Sequence, residues 1–98
     1  MKKIVLIPTY NEKENIASII DAVLSFEAGY HILVIDDGSP DGTANIVRDI
    51  MQNNAGRVFI ECRPGKLGLG TAYIHGFKWA LSKGYEYIIE MDADFSHN

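Results

Sequence analysis

Four short apolar runs, Ile4 to Ile7, Ile32 to Ile35, Val58 to Cys62 and Tyr87 to Met91, are separated by three segments with helical period. Most of the runs are continuously apolar rather than alternating, the pattern of strands buried on both faces of a parallel sheet. In the first intervening segment Ile16, Ile19, Ile20, Val23 and Leu24 fall at i, i+3, i+4, i+7 and i+8, one apolar stripe of a helix. Asn11 followed by Glu14 has the form of a capping box and places the helix start near Glu12. The second segment offers Asp41 or Thr43 as N-cap, carries Ile46, Val47, Ile50 and Met51 as its stripe, and stops near Asn53 to Gly56. The third starts near Gly70, uses Tyr73, Phe77, Ala80 and Leu81, and ends at Gly84; Trp79 on it is expected to cover the sheet. The fold class is therefore α/β, with four mainly parallel strands alternating with three helices and joined by right-handed crossovers.

A chain of 98 residues, 47% hydrophobic and 22% charged, can form one small core. The net charge of -4, with no basic run, excludes general affinity for nucleic acid. Cys62 is the sole cysteine, so no intrachain disulfide forms, and its apolar setting predicts an inert buried or half-buried thiol. Met1-Lys2-Lys3 could open a signal peptide, but the apolar run after it breaks at Pro8 and turns polar, so it reads as a first strand and a cytoplasmic location is expected. No run approaches the roughly 20 apolar residues of a membrane-spanning helix, which leaves peripheral association at a membrane surface. His31 and His75 are assigned to packing or surface roles.

The polar residues collect just after the strands. Pro8-Thr9-Tyr10-Asn11-Glu12 follows the first, Asp36 to Thr43 the second, Arg63 to Gly70 the third, and Asp92-Ala93-Asp94 the fourth. In an open parallel sheet these loops share one edge, where ligands bind. Asp92 and Asp94 offer hard oxygen ligands to Mg²⁺ or Mn²⁺, though the same triplet can be a turn with solvated carboxylates. Asp36-Asp37 can be turn chemistry too, but two adjacent carboxylates in a crowded crevice call for a partner, and ribose hydroxyls, base N–H groups or a metal would serve. Arg63 and Lys66 are candidate phosphate contacts or a solvated pair, and Tyr10 either stacks on a base or packs its loop. His97, three residues after Asp94, is near enough to shape a metal loop. The glycine-rich loop from Gly65 to Gly70 lacks the Gly-Lys-Ser/Thr ending of a P-loop, and no Gly-x-Gly-x-x-Gly follows the first strand.

The segments Pro8 to Glu12, Ile35 to Thr43, Arg63 to Tyr73 and Asp92 to His97, in this order, resemble family 2 glycosyltransferases of the GT-A fold, specifically the polyprenol (dolichol) phosphate mannose synthases. The first two are shared widely in that family, whereas the third together with Asp-Ala-Asp-x-Ser-His is more specific; Phe95, where Leu is common, departs from it. The resemblance implies a Rossmann-like GT-A nucleotide-sugar-binding half over residues 1–98, the N-terminal part of a longer domain and inactive alone. It implies that Pro8, Tyr10, Glu12, Ile35, Asp36 and Asp37 hold the guanosine of GDP-mannose, and that Lys66, Asp92, Ala93 and Asp94 complete the nucleotide-sugar site. Asp92 and Asp94, helped by Ser96, would place Mg²⁺ or Mn²⁺ on the diphosphate as the catalytic pair.

The implied reaction is inverting transfer of mannose to a polyprenyl (dolichyl) phosphate, by an enzyme peripheral at the cytoplasmic face of a membrane. UDP-sugar donors and a non-catalytic nucleotide-sugar-binding module are the alternatives. A phosphoryl-receiver domain is set aside, because its acidic pair follows the first strand and here that strand leads to Pro8-Thr9-Tyr10. An unpaired fourth strand would open a route to a homodimer through the sheet edge.

Overall fold

The structure, a computed structural model, describes residues 2–26, 29–65 and 67–93. Strands and helices alternate along the chain as β1 (Lys3–Thr9), α1 (Ile16–Leu24), β2 (His31–Asp36), α2 (Thr43–Gln52), β3 (Val58–Cys62), α3 (Leu69–Ser82) and β4 (Tyr87–Glu90). The strands form one sheet in the order β3-β2-β1-β4, and every neighbouring pair is parallel. The first two crossovers step outward from β1 to β2 and β3, and the third returns to the far side of β1.

That return puts helices on both faces, which is why the central strands β1 and β2 are continuously apolar and buried, whereas β4 at the sheet edge is largely exposed despite its apolar run. Val5, Ile7, Ile32 and Val34 pack with Ile16, Ile19, Ile20 and Val23 of α1 and Val47 of α2. Their strand neighbours Ile4, Leu6, Leu33 and Ile35 point the other way, toward Ala72 and Ala80 of α3. Each such aliphatic side chain, once fully buried, contributes about 1.5–3 kcal/mol of burial.

The third helix sits on its small residues. Ala72, Gly76 and Ala80 form its buried face, while Phe77 and Leu81, expected in the stripe, are 47% and 54% exposed. Gly76 explains the difference. A Cβ there would come within 2.9 Å of Ile35 Cδ1 and 3.2 Å of Leu6 Cδ1, so the helix backbone lies closer to the sheet than a large-residue stripe permits. Trp79 covers the sheet as expected, against Phe59 and Tyr85.

Helix starts are set by neighbours as much as by local sequence. The first helix begins at Ile16, not near Glu12, and Asn15 caps it without a side-chain bond. Asn11 instead takes a left-handed φ of 56°. The N–H groups of Asn11, Glu12 and Lys13 are taken by Ser39 Oγ, Thr43 Oγ1 and Asp41 Oδ2 of the next loop, so the Asn11 N–H that a capping-box Glu14 would serve is already bonded. At α2 neither candidate is the N-cap: Gly42, with φ 95°, takes that place and Thr43 is the first helical residue, while Asp41 Oδ1 accepts from the Thr43 N–H at 3.0 Å and the Thr43 hydroxyl at 2.6 Å just ahead of the helix.

Cys62 corrects another expectation, because it is exposed, with its Sγ 3.3 Å from Arg48 Nη2. It ends β3, an outer strand of the sheet, where strands do not cover it on both flanks. His75 pairs with Glu61 at 3.0 Å in a part-buried position. His31 packs inward, its Nδ1 2.7 Å from the Tyr85 hydroxyl. Burial, with Arg57 and Lys2 adding like charge, holds the His31 imidazole below its usual value.

Two consequences are measurable. Gly76→Val should lower stability by about 1–3 kcal/mol through overpacking, read as a lower urea midpoint at unchanged m-value; an unshifted midpoint would show that α3 can move away freely. Because the depressed His31 value means the unfolded chain binds a proton first, stability should decline as pH falls from 6.5 through the folded value. Urea midpoints between neutral and mildly acidic pH should lose part of that slope in His31→Gln; an identical slope would assign the effect to other groups.

Candidate functional site

The loops after β1, β2, β3 and β4 all emerge at the carboxyl edge of the sheet. Between β1 and β4 the chain order reverses direction, and this is where open α/β sheets form their crevice. The walls are built by polar residues that bond one another. Asp36 accepts from the Thr9 hydroxyl and the Ser39 hydroxyl, both at 2.6 Å on Oδ1, and from the Ser39 N–H at 2.9 Å on Oδ2. Asp36 is buried, as is Ile35, whose side chain belongs to the α3-side core. Both residues stand behind the cleft rather than lining it.

Asp37 is held differently. Its carboxylate accepts from Arg63 Nε at 2.6 Å and Nη2 at 2.8 Å, a bidentate pair with both side chains 8% exposed. Arg63 also donates to Thr71 Oγ1 at 3.1 Å and to the Gly68 carbonyl at 3.3 Å, so one guanidinium ties the end of β2 to the start of α3. The hydrogen bonds that Arg63 donates to the Asp37 carboxylate, outweighing burial, hold the guanidinium more firmly protonated than usual. Gly38 permits the contact: with φ 72°, it lies where a Cβ would meet the Pro64 carbonyl oxygen at 3.2 Å.

The partner that two adjacent carboxylates require is thus within the protein. Sequence reading weighed Arg63 as a phosphate contact or a solvated residue and did not pair it with Asp37. The signal lay in sheet register, which sets Asp36 beside Cys62 and so brings the next residues, Asp37 and Arg63, together.

A cleft of about 470 Å³ remains between these loops, lined by Pro8, Thr9, Tyr10, Glu12, Asp37, Gly68, Leu69, Ala72, Asp92 and Ala93. Pro8, Tyr10, Glu12, Asp37, Asp92 and Ala93 are therefore brought together. Ala93 is buried in the α1-side core, whereas Asp92 is exposed and its Oδ1 accepts from the Tyr73 hydroxyl of α3 at 3.0 Å. Burial first, then the hydrogen bond to Asp92 and the charges of Asp92 and Glu90, push the Tyr73 phenol up, so it stays protonated as a donor. In the sequence Tyr73 marks the stripe of the third helix and the end of the third family segment, and neither points to Asp92.

Lys66, Asp94, Ser96 and His97 lie outside the described residues. Among the described residues no group of three or more His, Cys, Asp or Glu side chains is arranged to hold a metal ion. Asp92 offers the hard carboxylate oxygen that Mg²⁺ or Mn²⁺ takes, in a cleft open to a phosphate-bearing ligand, and to that extent the donor chemistry fits.

This architecture is that of the nucleotide-sugar-binding half of a GT-A fold. The chain belongs to glycosyl transferase family 2, whose sequence profile matches residues 4–98. It is 47% identical over 96 residues to polyprenol monophosphomannose synthase of Mycolicibacterium smegmatis, covering 98% of this chain and 36% of that protein. It is 41% identical over 97 residues to undecaprenyl-phosphate mannosyltransferase of Micrococcus luteus, covering 99% of this chain and 40% of that protein. The chain therefore spans well under half the length of these relatives. Among solved structures, the mannosyltransferase PcManGT of Pyrobaculum calidifontis in complex with GDP-Man and Mn²⁺ matches with a TM-score of 0.76 at 24% identity, over 95% of this chain and 27% of that one. That likeness is one of fold.

Arg63→Ala should destabilise the chain by about 3–5 kcal/mol, because it leaves the Asp37 carboxylate buried without its counter-charge. The double substitution Arg63→Leu with Asp37→Leu should recover part of that loss. Denaturant unfolding of the three chains checks this, and a loss below about 1 kcal/mol for Arg63→Ala would mean that the pair is screened like a surface ion pair.

Proposed function

We propose that this chain forms the donor-binding half of a glycosyltransferase that moves mannose from GDP-mannose to a polyprenyl phosphate, inverting the anomeric configuration. The observation that carries the reading is the 47% identity, over 98% of this chain, to a polyprenol monophosphomannose synthase. The cleft supports it by joining an aromatic residue and carboxylates in one space. In this reading Pro8, Tyr10, Glu12 and Asp37 hold the nucleoside, with Tyr10 stacking on the base and carboxylates accepting from base or ribose donors. Ile35 and Asp36 keep that wall in place, and Lys66 with the Asp92-Ala93-Asp94 segment meets the diphosphate. Asp92 and Asp94, with Ser96, are the residues assigned to Mg²⁺ or Mn²⁺.

The reaction asks little proton chemistry of the protein. An oxygen of the acceptor phosphate attacks C1 of mannose from the side opposite GDP, and the bond from C1 to the diphosphate oxygen breaks. A phosphate is already anionic at neutral pH, so no general base is needed, and the chain's contribution is to orient the donor and keep water from its C1. A bound divalent cation would supply positive charge against the departing diphosphate. The polyprenyl acceptor implies work at a membrane surface, which we assign to the cytoplasmic face. Among the described residues no helix is long and apolar enough to cross a membrane.

Calorimetric titration of GDP-mannose, GDP and UDP-glucose, each with and without Mn²⁺, tests the reading. GDP-mannose and GDP should bind more tightly with Mn²⁺, and Asp92→Asn should weaken that metal-dependent binding at least about tenfold. Preference for UDP-glucose would reassign the donor. Equal, metal-independent binding of all three would overturn the site.

A further inference from the structure

We infer that Tyr73 is a positioning residue for Asp92, fixing the orientation in which that carboxylate meets a divalent cation on a bound diphosphate. The inference rests on the donor-site reading above and adds to it a residue from the opposite face of the sheet.

The geometry runs from the core outward. Met91 still bonds β1, its N–H donating to the Leu6 carbonyl at 3.0 Å. Ala93 is buried among Val5, Ile7 and the α1 residues. Side chains alternate along an extended segment, so anchoring Ala93 on the α1 side turns Asp92 toward α3. There the Tyr73 hydroxyl meets its Oδ1 at 3.0 Å. Asp92 is thus fixed from two sides, by the seat of its neighbour and by a hydrogen bond to a helix.

The helix is itself fixed in depth. Gly76 follows Tyr73 by three residues, on the next turn, and its backbone lies so close to the sheet that a Cβ would sit 2.9 Å from Ile35 Cδ1. The reach from α3 to Asp92 is consequently set by helix-on-sheet packing rather than by a flexible loop. A hydrogen bond from a fixed helix narrows the rotamers open to a carboxylate at a strand end, which leaves less ordering for a ligand to impose. A phenol suits the task. It is a neutral donor, so it orders the carboxylate while leaving its negative charge for a cation, whereas Lys or Arg in the same place would compensate that charge.

The test is Mn²⁺ binding to the chain in the presence of GDP, followed by the electron paramagnetic resonance of free Mn²⁺, together with calorimetry of GDP alone. Tyr73→Phe keeps the ring and removes the hydroxyl. It should weaken Mn²⁺ binding about tenfold, the scale of losing a partner that orients a metal ligand, with metal-free GDP affinity unchanged. In an Asp92→Asn background the same substitution should have no further effect, since the two residues act through one hydrogen bond. Mn²⁺ affinity equal to the parent, or an equal loss of metal-free GDP binding, would overturn the inference, the second outcome marking a general structural role. A parent chain that binds no Mn²⁺ with GDP would remove the metal assignment and this inference together. A parent that binds it, matched by Tyr73→Phe, would remove only the role of Tyr73.

Discussion

The Asp37–Arg63 pair ties three parts of the chain together at one point. It spans the ends of β2 and β3, and through Gly68 and Thr71 it reaches the first turn of α3. Two charges largely removed from water are tolerated only when each satisfies the other with good geometry, so the pair admits few arrangements of the loops that carry it. Because Asp37, Gly68 and Leu69 all line the cleft, the shape of one wall follows from this contact. Its value to the protein is better described as specification of geometry than as stability, since a well-packed apolar pair can be as stable.

A second constraint acts from the sheet. The strand order β3-β2-β1-β4 leaves α1 and α2 on one face and α3 on the other, and the cleft opens between the two sets. The depth at which α3 sits is decided by Ala72, Gly76 and Ala80, the residues small enough to touch the strands. Ala72 also lines the cleft, so the packing face of the helix and the wall of the site share a residue. Stability and function are connected here by contact.

The acidic residues divide by what surrounds them. Asp36 and Asp37 are buried and bonded within the protein, whereas Asp92 is exposed at the mouth and accepts a hydrogen bond from Tyr73. Similar chemical groups thus stand in two settings, one bonded into the wall of the cleft and one facing solvent at its mouth. The proposed division of labour follows that difference in environment rather than any difference in residue type.

Much of the fold was legible because it depends on periodicity, which is a property of the chain read in order. Continuous apolar runs and 3.6-residue stripes located the strands and helices, and the family signature at Pro8 to Glu12, Ile35 to Thr43 and Arg63 to Tyr73 pointed to the carboxyl edge as the site. The errors share a cause. The early start assigned to α1, the large-residue stripe assigned to α3, the buried thiol assigned to Cys62 and the reading of Arg63 without Asp37 each depended on what lies across space from the residue. The sequence by itself determined the α/β alternation and the family, because both are carried by local pattern. Only tertiary structure decided that Arg63 answers Asp37 and that Tyr73 answers Asp92, because strand register and the depth of α3 bring those partners within hydrogen-bonding distance across 26 and 19 positions of chain.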